Sequence, residues 1–175
     1  MKQAVLLGIG CNVQPMTQIP KILNVLVVRF NQVWLSRLVM TKPVGVKNAA
    51  DFCNGVLYFY SDLSEQALNE WCKQSEQQVG RAPQDCKSRQ VADLDLLWCG
   101  PSNQRLDPAA LITESYYQQP ARDVLTFVDR LAVNTTTLVS QSVDILRVSG
   151  PNGEVLGDKP TTIEKQILPS KINGF

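Results

Sequence analysis

The stretch CNGVLYFYS, Cys53–Ser61, is apolar at almost every position. A strand with one wet face alternates apolar and polar residues, whereas a strand covered on both faces does not. This run therefore reads as a central strand of a sheet with layers packed against it.

The remaining segments supply those layers. Lys2–Gly8 is apolar and β-like, and GIGCN (Gly8–Asn12) then reads as a loop. From Thr17 to Arg29, Ile19, Ile22, Leu23, Leu26 and Val27 keep helical spacing, with Thr17 as the expected cap and Pro20 in the first turn. Val33–Met40 is a second strand, and TKPVGVKNAADF (Thr41–Phe52) is a long loop of the kind that tends to be functional. Ser64 can cap a helix that carries Ala67, Leu68, Trp71, Cys72 and Val79 on its buried stripe, with Leu63 and Leu68 as a staple and Gly80 at its end. A polar connector, Arg81–Gln90, leads to a strand over Asp93–Trp98.

The order β-α-β-β-α-β predicts an α+β, ferredoxin-like fold: one antiparallel sheet, both helices on one face, and the first and last strands adjacent in its middle. Beyond Gly100 the pattern predicts a helix over Pro120–Leu131, a hairpin over Asp144–Leu156 and an extended tail, Gly157–Phe175. Residues 1–156 are expected to form one domain and 157–175 the tail.

Composition removes several functions. Seventeen Lys and Arg against sixteen Asp and Glu give a net charge of +1, with no basic excess to capture nucleic acid or an anionic membrane. An aromatic stacking platform for RNA on VLYFY is disfavoured on the same ground. The N-terminal apolar run is too short to span a bilayer. The five cysteines, Cys11, Cys53, Cys72, Cys86 and Cys99, form no C-x-x-C, and the chain has no histidine. A zinc site is thereby disfavoured, His-activated nucleophiles are excluded, and a reducing, cytoplasmic location is expected. GIGCNV carries Val13 where a dinucleotide fingerprint needs glycine, and no phosphate-binding P-loop is present.

The acidic strand raises the sharper question. Alternation puts Asp93 and Asp95 on one face, with Leu94, Leu96 and Trp98 on the other. Carboxylates roughly 7 Å apart repel unless water or a cation screens them. The pair is either the solvated side of a half-buried strand or a Mg²⁺ site completed by substrate phosphates. Arg81, Lys87 and Arg89 precede it, as a metal–polyphosphate site requires, or else simply salt-bridge the aspartates. Glu76 is either an ordinary surface charge or a partner of Arg81. Phe52 can stack on a flat heterocycle and Asn54 can bond its edge, or the two are core and turn residues.

GIGCN, TKPVGVKNAADFCN, EQQVGR and VADLDLLWCG occur in this order over roughly the first hundred residues. The set resembles the hydroxymethyl-dihydropterin pyrophosphokinase family of folate biosynthesis. The resemblance implies a ferredoxin-like fold and transfer of pyrophosphate from ATP to a pterin hydroxymethyl group, with AMP released. It further implies Asp93 and Asp95 as ligands of two Mg²⁺ ions and Glu76, Arg81 and Leu96 as nucleotide contacts. Thr41, Pro43, Val44, Phe52 and Asn54 would form the pterin pocket, and Arg81 and Arg89 the catalytic cations. The chain departs from the family's pattern in its short connector without Trp, in Gln90 where an arginine is expected, and in lacking a histidine beyond the acidic strand. Arg122 is the candidate to replace a phosphate-binding arginine there. A homologue that binds pterin or nucleotide without turnover is the alternative implied by these losses.

Overall fold

A computed structural model describes residues 2–85, 88–133, 147–151 and 154–165. Its sheet has the order β5-β1-β4-β2-β8, with β3 also paired to β4. The strands are β1 (Gln3–Cys11), β2 (Gln32–Leu35), β3 (Val39–Thr41), β4 (Phe52–Ser61), β5 (Asp93–Gly100) and β8 (Thr161–Glu164). Every pairing in it is antiparallel. A two-stranded sheet joins β6 (Val148–Ser149) to β7 (Val155–Leu156). The long helices are α1 (Pro15–Phe30), α2 (Glu65–Gln78) and α4 (Ser115–Val133), with a single turn α3 at Pro108–Leu111. This is an α+β architecture compatible with the ferredoxin-like arrangement. The apolar run Cys53–Ser61 lies in β4, inside the sheet, as its composition requires.

Period-two alternation in β1 separates two cores. Val5, Leu7, Ile9 and Cys11 face α1 and α2, where Ile19, Ile22, Leu23, Leu26, Leu68 and Cys72 are buried. Ala4 and Leu6 face the opposite layer, where Tyr117, Ala121 and Val124 of α4 cover Val56 and Tyr58. The sheet is thus covered on both faces, and the helix expected at Pro120–Leu131 begins earlier, at Ser115.

Several expectations are corrected. Gly8–Cys11 is not a loop but the second half of β1. Thr17 does not cap α1: the helix starts at Pro15 behind Gln14, whose φ of 46° is left-handed and whose side chain makes no cap. Pro20 then falls in the second turn, where it leaves the Met16 carbonyl without its helical donor. Ser64 does cap α2, accepting from Ala67 N at 3.3 Å, and Gly80 follows the helix at φ 108°.

The single strand expected at Val33–Met40 breaks into β2 and β3. At the break the Ser36 hydroxyl accepts from Val56 N at 2.9 Å. Leu38 packs over Gly55, where an added Cβ would stand 2.8 Å from Leu38 Cδ2. Buried Arg37 bonds Asp123 of α4 at 2.7 Å. β1 and β5 are adjacent, as expected, but β5 is an edge strand rather than a middle one. A register shift opposite Leu6 and Leu7 leaves Leu97 without a partner. It turns Trp98 onto the α4 side, which is also the aspartate face, against the simple alternation. Four residues of the expected tail form β8 and pair with β2 in the main sheet. Residues 144–146 and 152–153 of the expected hairpin, and 166–175 of the tail, lie outside the described residues, as does Lys87.

Candidate active site

The site grows from the start of β5. Asp93 lies opposite Gly10 and Asp95 opposite Gly8. On the other side of β1, Gly10 lies opposite Asn54. The glycines leave room that side chains would fill: a Cβ on Gly10 would stand 2.9 Å from Asn54 Oδ1, and one on Gly8 would stand 2.6 Å from the Tyr117 ring.

Arg81, just after α2, gathers the acidic groups. Its Nη1 donates to Glu76 Oε2 at 2.7 Å, to Asp93 Oδ1 at 3.0 Å and to Ala92 O at 3.2 Å. Glu76 uses its other oxygen to accept from Leu94 N at 2.8 Å. An edge strand leaves outward N–H groups unpaired, and Glu76 satisfies one of them. Burial pushes the Glu76 carboxyl above its ordinary range, against the pull of these hydrogen bonds. Asp95 Oδ2 accepts from the Tyr117 hydroxyl at 3.2 Å. Burial, and then the neighbouring Asp93, push Asp95 up to about 6.

Two cavities meet here. One, about 390 Å³, is lined by Val44, Phe52, Asn54, Gln90, Asp93 and Tyr116 among others. The second, about 580 Å³, includes Lys73, Glu76, Leu94, Leu96 and Thr113. Arg81, Asp95 and Glu114 line both. Of the sequence-predicted pterin residues, Val44, Phe52 and Asn54 line the first cavity; of the nucleotide residues, Glu76 and Leu96 line the second and Arg81 lines both. Thr41 acts from behind: its Oγ1 accepts from Asn54 Nδ2 at 2.7 Å, which leaves Asn54 Oδ1 for a ligand. Pro43 is half-buried in the loop and does not line the cavity.

Two cations are not brought to the site. Arg89 is 60% exposed and pairs with Asp85 at 2.5 Å. Arg122 lies with Arg105 in a third cavity, about 460 Å³, that shares no lining residue with the other two. Three residues were missed in the sequence: Glu114, Tyr116 and Tyr117. Only Tyr117 left a trace: two glycines in an apolar strand mark a close approach by another group, and the Tyr117 ring lies against Gly8.

The donor set fits Mg²⁺. Asp93 and Asp95 offer hard oxygens on one strand face, and among the described residues no third His, Cys, Asp or Glu completes a closed cage. Mg²⁺ is typically held by one or two carboxylates, with water and phosphate filling the rest. Arg81 is paired with Glu76 and Asp93, whereas Asp95 and Glu114, which line both cavities with it, form no ion pair with its guanidinium among the described residues. A divalent cation at the aspartates would therefore meet carboxylate charge that Arg81 does not neutralise.

The fold and site define an α+β protein with two adjoining polar cavities that meet at an acidic edge strand. A family model described as 7,8-dihydro-6-hydroxymethylpterin-pyrophosphokinase matches residues 6–136, and the chain belongs to that family. No curated protein matches it. Among the described residues, no helix is long and apolar enough to cross a membrane.

Proposed function

We propose that this chain transfers pyrophosphate from ATP to 6-hydroxymethyl-7,8-dihydropterin in a Mg²⁺-dependent reaction. The observation that carries this reading is the pair of cavities sharing Arg81, Asp95 and Glu114. A two-substrate transfer needs two pockets open to each other at the reacting atoms. The pterin ring occupies the Phe52 cavity, stacked on Phe52 with Asn54 at its edge and Val44 at the loop. ATP occupies the other cavity, against Leu96, with Arg81 held by Glu76.

The pterin hydroxyl oxygen then attacks the β-phosphorus. The bond from that phosphorus to the α-phosphate bridging oxygen breaks, AMP leaves, and the hydroxyl proton passes to solvent. No covalent enzyme intermediate is required, only positioning and charge neutralisation. Asp93 and Asp95 would hold Mg²⁺, which would supply charge neutralisation to the phosphates. Arg81 adds a fixed positive charge at the point where the cavities join.

A second reading has its own support. With Arg89 paired to Asp85 and Arg122 in a separate cavity, the phosphate side holds few cations. A chain of that kind binds pterin or nucleotide without turning over. Chromatographic assay of AMP, with ATP, the pterin and Mg²⁺, separates the two. Under the transferase reading AMP depends on the pterin and disappears in Asp95→Ala. No AMP above the Asp95→Ala background, with pterin binding retained, rejects transfer in favour of binding alone.

A further inference from the structure

We infer that Tyr117 is a positioning residue that orients Asp95 toward the metal and nucleotide, and that Gly8 exists to let it do so; this rests on the transferase reading above. The ring of Tyr117 is 1% exposed. It enters from α4 and lies across β1 at Gly8. An ideal Cβ there would come within 2.6, 2.7 and 3.0 Å of three of its ring carbons. Real Cβ atoms do not approach that closely, so any other residue at position 8 displaces the ring. Its hydroxyl thereby reaches Asp95 Oδ2 at 3.2 Å.

The consequence lies in how the two aspartates are held. Asp93 has Oδ1 engaged by Arg81, and Asp95 has Oδ2 engaged by Tyr117. Among the described residues, no other hydrogen bond reaches either carboxylate. Each therefore keeps one oxygen committed to the protein and one available. The two anchors differ in kind. Arg81 is a cation, already divided between Glu76 and Asp93. Tyr117 is neutral, so it fixes the rotation of Asp95 without cancelling its charge. A carboxylate meant to bind a divalent cation needs that combination, because an arginine in the same place would compete with the metal. Groups that orient metal ligands in this way typically govern affinity by 10–100-fold. The bland explanation is that a buried tyrosine needs some acceptor for its hydroxyl.

The test uses the full chain and the Mn²⁺ complex of a non-hydrolysable ATP analogue, titrated by calorimetry beside the metal-free analogue. Tyr117→Phe keeps the ring that fills the space over Gly8 and loses only the hydroxyl. It is expected to weaken the metal-loaded analogue about 10-fold. The metal-free affinity should stay as in the wild type, and the melting temperature should fall by no more than the loss of one hydrogen bond accounts for. Gly8→Ala, which keeps the hydroxyl but pushes the ring, should reproduce the loss. Equal affinity of Tyr117→Phe and wild type for the Mn²⁺ complex, while Asp95→Asn loses it, overturns the positioning role and leaves the transferase reading standing. A wild type that gains nothing from Mn²⁺ overturns both. A Tyr117→Phe chain that loses metal-free and metal-loaded affinity alike shows a merely structural tyrosine.

Discussion

On one face of the sheet, Val5, Leu7, Ile9, Leu57 and Phe59 meet the apolar stripes of α1 and α2. On the other, Ala4, Leu6, Val56 and Tyr58 meet α4, and the apolar packing stops where Gly8 and Gly10 begin. The first face is filled by side chains of ordinary size along its whole length. The second is filled for half its length, and its remainder is given to Tyr117, two aspartates and a cavity. The same strand, β1, serves both, because alternation lets its odd and even residues follow different rules. Packing is complete on the first face, and the candidate site lies where side-chain bulk has been removed from the second.

The largest effect that tests this division is Leu23→Ala. Leu23 is fully buried on the α1 side, far in kind from any ligand group. Truncation removes buried methyl groups and leaves a cavity, at a cost of about 2–5 kcal/mol. Chemical denaturation measures that loss. Pterin and nucleotide affinities of the folded fraction should be unchanged. A variant that instead keeps its stability and loses affinity would mean the two faces are not independent.

Phe52→Ala is the complementary change. Phe52 is half-buried at the start of β4 and lines the smaller cavity. Loss of a stacking surface costs roughly 1–3 kcal/mol of binding, by analogy with aromatic stacking on nucleobases. Calorimetric titration with the pterin should show the affinity reduced by one to two orders of magnitude. Nucleotide affinity should hold, since Phe52 does not line the larger cavity. Equal loss for both ligands would show that the cavities are not separate sites.

The two faces also differ in how much of them could be read from residues alone. On the α1/α2 face, each helix carries its own periodic stripe, and the Ser64 cap is local to its helix. Such patterns need no knowledge of distant chain. On the other face every informative contact is long-range. GIGCN looks like a loop because two glycines ordinarily interrupt a strand; here they make room for Tyr117, more than a hundred residues away. Trp98 changes face because of a register shift with β1, which alternation within β5 cannot reveal. The four motifs brought Glu76, Arg81, Phe52, Asn54, Asp93 and Asp95 to the two cavities. Arg89 lines neither cavity, and its partner Asp85 stands four residues before it in the same connector. Residues 161–164 carry three β-branched side chains, but so short a run reads as a strand only through its pairing with β2.

The smallest predicted effect has the opposite sign to the others, and is specific to the second face. Asp95 holds its proton more tightly in the folded protein, up to about 6, than the ordinary value of 3.8. A carboxyl raised by folding contributes its full stabilisation below about pH 4, where it is protonated in both states. That contribution is lost as pH rises through about 6, because the folded protein must then bury a charge beside Asp93. Asp95→Asn removes the charge and keeps the shape. In the metal-free protein it should therefore match the wild type at pH 4 and exceed it at pH 7.5. After allowance for the partial solvent access of the group, the gain is on the order of 1–2 kcal/mol. Denaturation midpoints at the two pH values measure it, and the same variant should lose pterin-dependent AMP formation. A gain that does not grow with pH would mean that the Asp95 charge is already compensated without metal. A gain that does grow, with activity lost, would show that the carboxylate is retained at the expense of stability, a conflict that no residue of the α1/α2 core faces.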